Sequence, residues 1–130
     1  MNTAFAQKID AVIESLTPEL VAYSKQLISF PTVAGQEQGA QEYLRTMLEE
    51  RGFAVDMWEP DIQAMREFFP FFRGSRESFA GSPNVVGVRK GTGGGRSLMV
   101  NGHIDVVPPG ERSAWNTDPF TGVLEGDRLY

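Results

Sequence analysis

At Gly52 the spacing of apolar residues changes from the period of a helix to that of a strand, and no other feature constrains the fold as strongly. Before it, Ala40, Tyr43, Leu44, Met47 and Leu48 fall at i, i+3, i+4, i+7 and i+8, one face of an α-helix. After it, Phe53, Val55 and Met57 alternate with Ala54, Asp56 and Trp58, the two-residue repeat of a half-buried strand. Gly52 stands where a C-cap glycine belongs, because it lacks the β-carbon that opposes the left-handed conformation closing a last helical turn. A helix that runs directly into a strand must share a core with it, which sets an α/β class with helices flanking a mixed sheet.

The same reasoning applies on either side. Phe5, Ile9, Val12, Ile13 and Leu16 recur at spacings of three and four and predict a short helix. Thr17-Pro18-Glu19 reads as the start of a second, with Thr17 as N-cap and Pro18 in its first turn, continuing through Leu20, Leu27 and Ile28 until Pro31 stops it. Further on, residues 84–90 and 97–101 are β-branched or apolar runs flanking Gly91-Thr92-Gly93-Gly94-Gly95-Arg96, which predicts a hairpin. Those glycines are not a phosphate loop, since no Gly-Lys-Ser/Thr ending follows them. A last short hairpin is expected over residues 122–130, turning at Glu125-Gly126-Asp127. Residues 65–74 carry Phe68, Phe69, Phe71 and Phe72 around Pro70; the preferred reading packs these rings on the core, the other makes them a contact surface.

Composition removes several function classes. Hydrophobic residues make up 41% and charged residues 22% of the 130, ordinary proportions for one globular domain. The net charge of −5, with no Arg/Lys run, excludes a nucleic-acid partner. There is no cysteine, so a metal would have to be held by histidine and carboxylates. No run approaches the roughly 20 apolar residues that cross a bilayer, and the first ten residues lack a charged-then-apolar leader. No membrane partner and a cytoplasmic location are the expectations.

The single histidine lies in Asn101-Gly102-His103-Ile104-Asp105-Val106-Val107-Pro108. His103 and Asp105 are two apart, so in extended backbone their side chains share a face. A lone His-x-Asp is more often a polar pair on the surface than a metal site. Its other use is a metal-bound imidazole whose second nitrogen is held by a carboxylate, which fixes the tautomer. One histidine does not complete a zinc site, and Asp61, Asp118, Glu125 and Asp127 each have a local explanation in a turn or loop.

Four blocks in fixed order carry a resemblance: Asn84-Val85-Val86-Gly87; residues 102–108; Trp115-x-x-Asp118-Pro119-Phe120; and residues 122–130. Together with Phe30-Pro31-Thr32-Val33, the series resembles the zinc-dependent acetylornithine deacetylase, succinyl-diaminopimelate desuccinylase, aminoacylase and carboxypeptidase G family over residues 18–130, with 60–81 as an inserted stretch. The resemblance implies the amino-terminal portion of a zinc-exopeptidase-like α/β catalytic domain that hydrolyses N-acyl amino acids or peptides with two zinc or cobalt ions. It makes His103 a ligand of one metal and Asp105 the catalytic-site acid that orients it, while Trp115 and Asp118 shape a neighbouring loop. The family's Gly-Arg-Gly-x-x-Asp-Met-Lys-Gly-like stretch, with its metal-bridging Asp, and its Glu-Glu pair have no counterpart up to Tyr130. The 130 residues alone are therefore expected to be inactive, without the full metal site. The alternatives are a non-catalytic product that self-associates through open strand edges, and a free-standing metal-binding module.

Overall fold

In chain order the elements are helices α1 (Thr3–Ile28) and α2 (Gln38–Glu50), strand β1 (Ala54–Trp58), helix α3 (Ile62–Phe68), strand β2 (Asn84–Val88), a 3-10 turn at Arg112–Ala114, and strands β3 (Leu124–Glu125) and β4 (Arg128–Leu129). The computed structural model describes residues 3–69, 71, 74 and 76–130. They form two units, Pro31–Pro108 and the pair of segments Met1–Phe30 with Pro109–Tyr130.

In the unit Pro31–Pro108, α2 and β1 meet through the predicted turn. Gly52 takes φ 76°. Its N–H donates to Glu49 O at 2.9 Å and that of Phe53 to Leu48 O at 3.1 Å, which satisfies two carbonyls of the helix end. β1 pairs antiparallel with β2, Ala54 opposite Val88 and Trp58 opposite Asn84. Both strands alternate exposed and half-buried residues, as the sequence period requires. Gly87 packs closely, because a β-carbon there would lie 3.1 Å from Leu48 Cδ1 of α2 and 3.2 Å from Phe53 Cδ1. Gly87→Val is therefore expected to lower stability by roughly 1–3 kcal/mol through overpacking, read as a fall in the denaturation midpoint. An unchanged midpoint would mean that α2 does not press on β2.

The pairing of β2 with β1 replaces the expected hairpin. Residues 97–101 form no strand and have no strand partner among the described residues, and Leu98, Met99 and Val100 are 86–89% exposed. The glycine turn alone does not decide the partner. Pairing with β1 lets both strands cover the apolar face of α2, a gain that a local hairpin lacks. In place of the expected mixed sheet, the described residues show two two-stranded antiparallel sheets and an isolated parallel bridge between Val33 and Val106.

In the other unit α1 runs unbroken through Pro18, so the expected division at Thr17 is corrected. Thr17 is not an N-cap; its hydroxyl bonds back to Ile13 O at 2.9 Å. Proline removes one N–H donor, and the turns on both sides sustain the helix across that gap. None of the α1 side chains described is buried. The predicted carboxy-terminal hairpin forms, with Leu124 opposite Leu129, Glu125 opposite Arg128, and Gly126 at φ 63° in a two-residue turn.

The aromatic stretch also departs from its preferred reading. Phe68, Phe69 and Phe71 are exposed, with the first two in edge contact at 4.8 Å. Pro70, Phe72, Arg73 and Ser75 lie outside the described residues. No helix among the described residues is long and apolar enough to cross a membrane.

Candidate functional site

The unit Pro31–Pro108 contains an open cavity of 580 Å³, whose lining includes residues 101–105 and Glu37, Arg76 and Ser82. His103 and Asp105 belong to the first of these groups, with the imidazole 86% exposed. The imidazole Nδ1 lies 3.0 Å from the carbonyl oxygen of Asp105 and 3.2 Å from its carboxylate Oδ1. One edge of the ring is thus turned to two acceptors, and Nε2 lies on the opposite side. The structure brings together the two residues singled out by spacing.

The other acids considered are each engaged in their own local structure. Asp61 caps α3, its carboxylate accepting the N–H groups of Gln63 at 2.8 Å and Ala64 at 3.2 Å. Asp118 accepts from Arg112 and from the Phe120 N–H at 2.8 Å. The Arg112 hydrogen bond, then that of Phe120, holds its carboxyl below the ordinary range. Glu125 and Asp127 flank the turn at Gly126. Trp115 is spoken for as well, its indole N–H donating to Pro109 O at 2.8 Å. No group of three His, Cys, Asp or Glu able to hold a metal occurs among the described residues. The donor set that fits a divalent metal here is one imidazole nitrogen with an orienting carboxylate, so further ligands would have to come from outside these residues.

Sequence reasoning missed the polar cluster that lines the cavity with His103 and Asp105. Glu37 is 4% exposed and accepts from Gly35 N–H at 2.9 Å and from the hydroxyl of Ser82, itself buried. Arg76 lies 3.6 Å from the same carboxylate, donates to Ser82 and covers the Phe79 ring at 4.8 Å. Burial opposes ionisation of Glu37. The Ser82 hydroxyl, the N–H groups of Glu37 and Gly35, and the charge of Arg76 outweigh it and leave the carboxyl below its usual range. Thr32, 2% exposed, was noted only as part of an opening motif. The one signal for these residues was a run of polar positions beside Pro31 and Gly35, and it names no partner.

No protein-family model matches the chain. It is 37% identical over 115 residues to a succinyl-diaminopimelate desuccinylase of Methylobacterium sp. (strain 4-46), covering 88% of this chain and 25% of that protein. It is 34% identical over 130 residues to an N-formyl-4-amino-5-aminomethyl-2-methylpyrimidine deformylase of Halalkalibacterium halodurans, covering 92% of this chain and 26% of the relative. A deformylase of the same name from Bacillus subtilis is 34% identical over 113 residues, covering 83% and 22%. The chain is thus a homologue of deacylating hydrolases over most of its own length, in line with an amino-terminal part of the family that the four blocks resemble. It spans about a quarter of the length of the curated relatives it matches.

Proposed function

We propose that this chain is the amino-terminal part of the catalytic domain of a metal-dependent amide hydrolase of zinc-exopeptidase-like fold, acting on the acyl-amide bond of a small N-acyl amine or N-acyl amino acid. The observation that carries the reading is the placement of the His103 imidazole, with Nδ1 against Asp105 and Nε2 directed away from it. In this reading His103 offers Nε2 as a ligand to one of two zinc or cobalt ions. Asp105 holds the Nδ1 proton, keeping the ring in the ligating tautomer and raising its basicity. When bound, such ions polarise an amide carbonyl and lower the pKa of bound water. The remaining ligands and the general base belong to sequence outside these 130 residues. The relatives' names support acyl removal, one from a succinylated and one from a formylated amine.

The full-length protein is expected to hydrolyse at least one of N-succinyl, N-formyl or N-acetyl amine substrates, to lose that activity to a chelator, and to regain it with zinc or cobalt. Failure of the metal-loaded protein to release acid from any of the three removes the hydrolase reading. Residues 1–130 alone are expected to show no turnover.

A second role, association, is favoured by the unpaired 97–101 segment, an open template for another strand. Sedimentation of the isolated chain is expected to show self-association; a strictly monomeric chain at high micromolar concentration contradicts it.

A further inference from the structure

The His103 segment belongs to no helix or sheet, so its geometry depends on the few groups that bond its backbone. Thr32 supplies two of those bonds. Its hydroxyl donates to the carbonyl of Ile104 at 2.7 Å, across 72 positions of sequence. Its own carbonyl accepts the Val106 N–H at 3.0 Å, beside the isolated parallel bridge of Val33 with Val106. The two bonds bracket Asp105, and the first falls on the residue next to His103. Threonine hydroxyls commonly bond to their own neighbourhood. This one is buried and committed to a distant carbonyl at a good hydrogen-bond distance.

The consequence is mechanical. Ile104 sits between the imidazole and its orienting carboxylate, and rotating its peptide group would turn the two side chains away from each other. Such a rotation must break the Thr32 hydroxyl bond or the Val106 bond. We propose that Thr32 is a positioning residue for the His103–Asp105 pair and thereby sets the affinity of the metal that His103 holds. The inference rests on the metal-hydrolase reading above and adds a residue that contacts neither metal nor substrate.

Valine keeps the shape of threonine and removes the donor, whereas serine keeps the donor. Apo full-length protein is titrated with cobalt, following its visible absorption in competition with a chromophoric chelator. Thr32→Val is expected to bind the His103-dependent cobalt at least about tenfold more weakly, while Thr32→Ser stays within about threefold of the unsubstituted protein. His103→Ala in the same titration separates the two ideas. If His103→Ala binds as much cobalt as the unsubstituted protein, the metal reading itself fails. If it loses one equivalent and Thr32→Val still binds with unchanged affinity, only the role of Thr32 fails. Hydrogen exchange of the unsubstituted apo protein needs no variant, so it tests the backbone half of the clamp should Thr32→Val not fold. The Val106 amide is expected to be protected, and exchange at the rate of an open chain would overturn the clamp.

Discussion

His103→Ala in the full-length protein is expected to remove one metal equivalent and to lower kcat/KM by at least roughly a thousandfold, about 4 kcal/mol of transition-state stabilisation. A metal site built on three or four protein ligands does not tolerate loss of a histidine. Asp105→Asn should act more mildly. Its side chain keeps the shape that meets Nδ1 at 3.2 Å but no longer carries the charge that raises ring basicity. Loss of an orienting carboxylate of this kind costs on the order of 10–100-fold in metal affinity or activity. Metal content by atomic emission and steady-state kinetics on the same preparations check both values. Equal losses in the two variants would make Asp105 a direct participant rather than an orienting group. Full activity in His103→Ala would place the metal chemistry elsewhere.

The parts of the molecule legible in advance are those whose cause is local. The α2 stripe ending at Gly52 and the alternation of β1 follow from covalent periodicity, and a glycine at φ 76° is a local backbone requirement. His103 and Asp105, two positions apart, meet in the structure, and a contact over so short a separation is again local. The misread parts are settled by distant sequence. β2 had a glycine turn and an apolar run beside it, yet it pairs with β1, whose alignment also covers α2. Pro18 has the form of a helix start, and only the turns on both sides determine that the helix passes through it. Thr32 and Glu37 find partners 72 and 45 positions away, and no period or motif encodes bonds of that range. The candidate site is thus half legible: the proximity of His103 and Asp105 could be read, and the long-range polar bonds of Thr32 and Glu37 could not.

Glu37→Ala is expected to cost roughly 2–4 kcal/mol, because it removes the carboxylate on which a buried cluster converges. The Ser82 hydroxyl, the Gly35 N–H and the Arg76 guanidinium all converge on this carboxylate. Ser82 is as good as buried, so its hydroxyl would lose a partner without gaining water, whereas Arg76 is partly exposed and recovers some hydration. Glu37→Gln keeps an acceptor oxygen but no charge, and so isolates the ionic part. The sign of its pH dependence follows from the lowered pKa. The unfolded chain takes up the Glu37 proton near the ordinary value of 4.5, and the folded chain only at lower pH. The carboxylate's stabilisation is therefore complete above that value and disappears as pH falls through the folded pKa. The stability gap between the unsubstituted protein and Glu37→Gln should be constant around pH 7, shrink below about pH 4.5 and close in stronger acid. Asp118, also held below its usual range, is present in both proteins and cancels in the difference. Denaturation midpoints at pH 7, 5, 4 and 3 measure the gap. One that persists unchanged to pH 3 would mean that the cluster is held by shape and neutral hydrogen bonds, with the charge of Glu37 contributing nothing.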